Sequence, residues 1–132
     1  MKPLILLIED NEQNRYLATF LLEARGYEVV HAGTGPLGIE LAAACKPGLI
    51  LLDIQLPGMD GYAVARALKS DPALAAIPIV AVTSYAMAPD RAAALAAGCD
   101  GYIEKPIDPE SFVSTLERHL LDAPAAPTGA GA

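Results

Sequence analysis

Residues 49–61 read LILLDIQLPGMDG: four consecutive apolar residues, one aspartate, then a loop carrying proline and glycine. Leu49, Ile50, Leu51 and Leu52 show no polar alternation, which is the pattern of a strand covered on both faces, as in the parallel sheet of an α/β domain. Asp53 stands where that strand ends, so a carboxylate is delivered to the carboxyl edge of a sheet.

The rest of the chain repeats the arrangement. Strand-like runs recur at LILLI (4–8), EVVHA (28–32), IPIVAV (77–82) and GYI (101–103), with a helix-length segment after each strand. Residues 12–25 place Tyr16, Leu17, Phe20 and Leu21 on one apolar stripe and stop at Gly26, a good residue just past a helix end. Residues 35–46 place Leu37, Leu41 and Cys45 at i, i+4 and i+8 and stop before Pro47. Residues 62–70 follow the Asp53 loop, and a fourth helix opens at Pro89 and closes at Gly98. Residues 108–121 begin with Asp108 as N-cap and Pro109 at the first helical position, and bury Phe112, Leu116 and Leu120. Five strand–helix repeats joined by right-handed crossovers make a flavodoxin-like, doubly wound (βα)5 fold. Its five-stranded parallel sheet has the order 2-1-3-4-5, with the ligand site outside the carboxyl ends of the strands.

Length and composition bound the function. The 132 residues, 53% of them hydrophobic, suit one compact domain. That domain is assigned to residues 1–122, and APAAPTGAGA (123–132) reads as a disordered tail with no apolar anchor. A formal charge of −7 and a pI near 4.6 disfavour nucleic acid and anionic membranes, which both demand a basic face. Cys45 and Cys99 have no CxxC or Cys/His spacing, so neither a disulfide framework nor a zinc site is expected. The leading apolar run is broken by Glu9 and Asp10 too early for a signal segment, and no apolar stretch nears the roughly 20 residues of a membrane span. A cytoplasmic location follows as the expectation.

The strand ends hold the chemistry: Glu9 and Asp10 after the first, Asp53 after the third, Thr83 and Ser84 after the fourth, Lys105 after the fifth. In the order 2-1-3-4-5 the first and third strands are neighbours, so Asp10 and Asp53 should face each other. Three crowded carboxylates repel, and a divalent cation is the usual remedy. Oxygen-only ligands with open positions favour Mg²⁺. Thr83 can donate a hydroxyl and Lys105 a positive charge to a phosphate, and a carboxylate can itself be the nucleophile, giving an aspartyl phosphate. Each residue also has a plainer explanation. EDNEQ also suits a plain helix start with Asn11 or Asp10 as cap, Asp53 a plain strand stop, and Lys105 a solvated surface position. Their coincidence on one sheet edge favours a site. The segment from Asp53 fails as a calcium loop, since Gln55 and Pro57 replace oxygen ligands and Val64 stands where a bidentate glutamate belongs.

The set LLIEDN, LLDIQLPGMDG, AVTSYAM and GYIEKPI resembles the receiver domains of two-component response regulators over residues 3–122. The resemblance implies that Asp53 is the phospho-acceptor, and that Glu9, Asp10, Asp53 and the backbone carbonyl of Gln55 hold Mg²⁺, with Mn²⁺ an admissible substitute. Thr83 and Lys105 then grip the phosphoryl oxygens, the Lys105–Pro106 bond is cis, and Tyr102 is the switch aromatic that turns inward as Thr83 moves toward phosphate. An ordinary core-edge tyrosine is the alternative for Tyr102. The partner surface is expected around Gln13, Asn14 and Arg15, where a sensor histidine kinase or histidine phosphotransfer protein docks; a simply solvated face is the alternative.

Within the family, DIQLP, IPIVAVTSYAM and GCDGYIEKPI are most similar to single-domain regulators of the DivK type and to receivers of hybrid histidine kinases. With no output module in the sequence, the expectation is a stand-alone regulator that switches binding to a downstream protein in a phosphorelay. A monomer is expected, dimerisation on phosphorylation being left open, and a receiver cut from a hybrid kinase is the alternative. Its only chemistry would be taking phosphate from a donor and losing it to water, so it is not read as an enzyme. An aspartate-nucleophile phosphohydrolase wants a second aspartate two residues on, where this chain has Gln55. A flavodoxin-like carrier wants a phosphate loop rich in Ser, Thr and Gly, where EDNEQN would repel phosphate.

Overall fold

The computed structural model describes residues 3–56, 60–83, 88–105 and 107–122. Its elements alternate: β1 (Leu4–Ile8), α1 (Glu12–Ala24), β2 (Glu28–Ala32), α2 (Gly35–Cys45), β3 (Leu49–Asp53), α3 (Gly61–Ser70), β4 (Ile79–Thr83), α4 (Ala88–Ala96), β5 (Gly101–Glu104) and α5 (Phe112–Asp122). All strand pairs are parallel, in the order β2-β1-β3-β4-β5.

Strand alternation divides the core into two layers. Leu6, Ile8, Ile50, Leu52, Ile79 and Ala81 point to the face covered by α2, α3 and α4. Ile5, Leu7, Leu49, Leu51, Val80 and Val82 point to the face covered by α1 and α5, where Leu22, Phe112 and Leu116 pack on them. The three central strands are therefore apolar on both sides and almost wholly buried, which is why LILL carries no polar alternation.

Helix boundaries follow capping chemistry. Asn11 caps α1 by accepting from Asn14 N at 2.9 Å, and Thr34 caps α2 by accepting from Leu37 N at 3.3 Å. Gly26, with φ 90°, and Gly98, with φ 104°, supply the left-handed turns that follow α1 and α4.

Several expectations shift. Tyr16 and Phe20 are not in the core: Ala18 and Leu22 face the sheet, Leu17 and Leu21 flank them, and the two aromatics lie outside, 73% and 58% exposed. In α2 the sheet-facing residues are Gly38 and Ala42, whereas Leu37 and Cys45 are exposed. A Cβ at Gly38 would lie 2.5 Å from Ile8 Cδ1, so close approach selects small residues where the leucines had been expected. β4 begins at Ile79 rather than Ile77 and includes Thr83. The last helix starts at Phe112 rather than after Asp108. Asp108 instead ties the preceding turn, its carboxylate accepting from Glu110 N at 3.0 Å and Ser111 Oγ at 3.1 Å. The 123–132 tail and the Lys105–Pro106 bond lie outside the described residues.

Candidate functional site

The register of β1 against β3 pairs Ile8 with Leu52, so Glu9 and Asp53, the next residues, leave the sheet side by side. Each is 3% exposed, and Thr83, closing β4, is 1% exposed. Asp10 sits exposed at the mouth. One carboxylate oxygen from each of Glu9, Asp10 and Asp53 lies within 4.8 Å of the others.

Short polar contacts fix these groups. Asp53 Oδ1 accepts from Gln55 N at 3.0 Å, and Glu9 Oε2 accepts from Asn11 N at 3.2 Å. The backbone of Glu9 is held on both sides: its N–H donates to Ala32 O at 2.9 Å, and its carbonyl accepts from Arg15 Nη1 at 3.3 Å. Because Asn11 supplies the α1 cap, the carboxylate of Asp10 is not needed for that purpose. β5 pairs Glu104 with Thr83, and Lys105 N donates to Thr83 O at 2.8 Å, which brings the next side chain over the carboxylates. Lys105 Nζ then lies 3.3 Å from Asp53 Oδ2 and 3.5 Å from Glu9 Oε1.

The loop after Asp53 is closed at its far end by Gly61, whose N–H donates to Ile54 O at 3.1 Å. A Cβ there would stand 2.4 Å from Ile54 Cα, so only glycine allows α3 to start so close to the strand end. Asp60 caps that helix, accepting from Tyr62 N at 3.0 Å.

Among the described residues, the Lys105 ammonium pairs with two nearly dry carboxylates, and the third, that of Asp10, lies within 4.8 Å of both. Burial, followed by the hydrogen bond and negative charge of Asp53, pushes Glu9 up to about 7, with the Asn11 N–H and Lys105 partly opposing. Burial first, and the adjacent Asp53 carboxylate second, make negative charge on Glu9 costly unless further positive charge stands beside it. Three carboxylates with oxygens within 4.8 Å of one another form an all-oxygen donor set that fits a hard divalent cation.

The sequence-derived candidates thus divide. Glu9, Asp10, Asp53 and Lys105 converge on one pocket, with Thr83 buried at the neighbouring strand end and the half-buried Gln55 in the adjoining loop. Tyr102 pairs in register with Ala81, so it shares the sheet face of Ala81 and Thr83, and packs half-buried against the α2–α4 core layer. Gln13 is exposed, and Asn14 and Arg15 are half-buried. Arg15 is more than a surface residue, since it ties α1 to the Glu9 carbonyl; sequence pattern gave no signal of this, because an arginine in a first helical turn is ordinarily solvated. The pairing of Lys105 with Glu9 and Asp53 has no sequence signature either, since the pattern there suggests a phosphate ligand or a solvated lysine. Ser84 lies outside the described residues.

The family model described as "Response regulator receiver domain" matches residues 5–117. The chain belongs to the response regulator receiver domain family. This receiver domain is 42% identical over 123 residues to the polar-differentiation response regulator DivK of Brucella anthropi, covering 93% of this chain and 100% of that protein. Its structure superposes on the chemotaxis protein CheY4 of Vibrio cholerae with a TM-score of 0.85 at 25% identity, covering 89% of this chain and 98% of that one. It superposes equally, at 30% identity and with 92% and 100% covered, on the receiver domain of a Pseudomonas aeruginosa sensor histidine kinase crystallised with a magnesium ion in its active-site cleft. Receiver domains are phospho-acceptors rather than conventional enzymes, work with histidine kinases or phosphotransfer proteins, and bind Mg²⁺ in an acidic pocket. No helix among the described residues is long and apolar enough to cross a membrane.

Proposed function

We propose that Asp53 is the residue phosphorylated in this receiver domain, and that the chain acts as a DivK-like stand-alone regulator in the cytoplasm, with the domain occupying residues 1–122. One observation carries the assignment. Asp53 is a buried carboxylate with one oxygen pinned by the Gln55 N–H and the other 3.3 Å from Lys105, among carboxylates that supply a cation site. Glu9, Asp10, Asp53 and the Gln55 carbonyl would hold Mg²⁺, which when bound neutralises carboxylate and phosphoryl charge.

The chain's own residues do the rest. An Asp53 oxygen attacks the phosphorus of a phosphohistidine or small acyl phosphate; the new O–P bond forms as the bond to the donor breaks, and the donor leaves with its electron pair. Lys105 exchanges part of its pairing with the carboxylates for a phosphoryl oxygen, and the Thr83 hydroxyl takes another. Water later attacks the same phosphorus, the bond from phosphorus to the Asp53 oxygen breaks, and inorganic phosphate leaves as Asp53 regains its free carboxylate. The protein donor docks around Gln13, Asn14 and Arg15, and the phosphorylated form binds a downstream protein.

Intact-mass measurement after incubation with acetyl phosphate and Mg²⁺ tests the reading. Wild type should gain one phosphoryl group and Asp53→Asn none. Equal labelling of both, or labelling that persists in EDTA, would overturn it.

A further inference from the structure

Arg15 stands in the first turn of α1, where a cation opposes the helix dipole, and beside the turn that carries Glu9 and Asp10, where its charge also counts against binding a metal ion. What it contributes is a hydrogen bond: Nη1 donates to the Glu9 carbonyl at 3.3 Å. That oxygen belongs to the peptide unit joining Glu9 to Asp10, two of the three clustered carboxylates. The unit is planar, so rotating it changes ψ of Glu9 and φ of Asp10 together and re-aims both side chains. The sheet holds Glu9 from one side, its N–H donating to Ala32 O at 2.9 Å. Ile8, however, is the last β1 residue in register with either neighbouring strand, so the Glu9 carbonyl lies beyond the ladder. Arg15 closes a ring there. Asn11 N–H donates to Glu9 Oε2 at 3.2 Å, Arg15 N–H donates to Asn11 O at 3.0 Å, and the guanidinium returns to the Glu9 carbonyl. A Cβ at Gly33, the residue after β2, would lie 3.8 Å from Nη1, ordinary contact distance, so the guanidinium rests against that turn as well.

We infer that Arg15 is a positioning residue for the metal site: through the Glu9–Asp10 peptide it holds two carboxylates at the aim that Mg²⁺ binding needs, and so sets the affinity of this chain for the ion. The inference rests on the proposed reading in which Glu9 and Asp10 hold Mg²⁺. Groups that orient metal ligands without touching the metal change affinity by about 10–100-fold when removed. The sign of the effect separates this role from a purely electrostatic one. Removing a nearby positive charge alone would strengthen cation binding, whereas removing the tie that aims the ligands weakens it.

MgCl₂ titrated into the isotope-labelled full chain, followed by the amide shifts of Asp10, Asn11 and Asp53, gives the affinity of the folded state. Wild type is compared with Arg15→Met, Arg15→Gln and, at the other end of α1, Arg25→Met, which removes a cation paired with Glu117 instead. Methionine and glutamine match arginine in helix propensity, so the helix is retained, and amide shifts unchanged outside the turn certify each fold. Arg15→Met should bind Mg²⁺ at least about tenfold more weakly than wild type, with Arg15→Gln changed in the same direction. In EDTA the Asn11 amide of both variants should exchange with solvent faster than in wild type, because the turn has lost its tie. Arg25→Met should match wild type in both measurements. No protein donor is present, so the part of Arg15 in donor docking does not enter. Affinity equal to or tighter than wild type in either folded Arg15 variant, or an equal loss in Arg25→Met, would overturn the inference while leaving the metal site in place. A wild type whose pocket amides do not respond to Mg²⁺ would overturn the metal reading itself, and the inference with it.

Discussion

The ammonium of Lys105 stands 3.3 Å from the Asp53 carboxylate, the only cation described within salt-bridge distance of it, and 3.5 Å from Glu9 as well. One residue therefore compensates two buried acids from two other strand ends, and the pocket's balance in the absence of metal depends on it.

Lys105→Met should lower metal-free stability by about 1–3 kcal/mol, less than for a fully buried pair because Glu9 can take up a proton when the countercharge is lost. MgCl₂ should restore part of the loss, since a divalent ion brings positive charge to the same oxygens. Urea midpoints in EDTA and in MgCl₂ measure both effects. A variant as stable as wild type in EDTA would show that the contact contributes nothing.

Glu9 gives stability a pH dependence whose sign is fixed. Its folded value of about 7 lies above the ordinary 4.5, so the folded state binds its proton more tightly than the unfolded chain does. Burying this group costs nothing extra below about 4.5; the penalty grows between about 4.5 and 7 and is complete above 7. Metal-free wild type should therefore lose stability relative to Glu9→Gln across that window, by on the order of 1–3 kcal/mol. Urea midpoints of the two proteins at pH 5, 6, 7 and 8 give the difference, and parallel profiles would contradict it.

The sheet was legible because central strands buried on both faces must read as unbroken apolar runs, and the strand ends were legible because they interrupt those runs with Glu9, Asp53 and Lys105. The helix faces were less so. An apolar stripe such as Tyr16–Leu17–Phe20–Leu21 is wide enough to be rotated either way, and Ala18, which does face the sheet, carries no hydrophobic signal stronger than its neighbours. Gly38 shows the same ambiguity in α2: in sequence it weakens a helix, whereas in the fold it lets the helix approach Ile8. The acidic pocket was legible in its members but not in its wiring. That Asn11 rather than Asp10 caps α1, and that Arg15 holds the Glu9 carbonyl, depend on choices among several polar neighbours that one-dimensional spacing does not make.

Thr83 and Tyr102 lie on one face of neighbouring strands, and under the proposed function a hydroxyl drawn toward phosphate should change the space available to the ring. A ligand shifts a two-state equilibrium only through contacts that differ between the states. Thr83→Ala should still be phosphorylated by acetyl phosphate, but the phosphorylation-induced amide shifts around Tyr102 and Ala92 should shrink. A pattern identical to wild type in the phosphorylated variant would mean that the signal leaves the pocket by another route.

Asp53→Asn should stabilise the metal-free fold. The substitution keeps an oxygen to accept from the Gln55 N–H, removes one of three mutually repelling charges, and leaves Lys105 to compensate Glu9. The gain should be on the order of 1 kcal/mol at low salt, visible as a higher urea midpoint. Asp10→Asn should act in the same direction but more weakly, because Asp10 is exposed and water and salt already screen its charge. Mg²⁺ should narrow or reverse both differences. An ion bound only by the folded state stabilises wild type by mass action, and each variant has lost a ligand. If Asp10 were only part of a helix start and Asp53 only a strand stop, neither substitution would stabilise and neither protein would respond to metal. Titrations of the three proteins in EDTA and in millimolar MgCl₂ separate the accounts, and an Asp53→Asn variant that is less stable than wild type in EDTA and indifferent to Mg²⁺ would refute the shared acidic pocket.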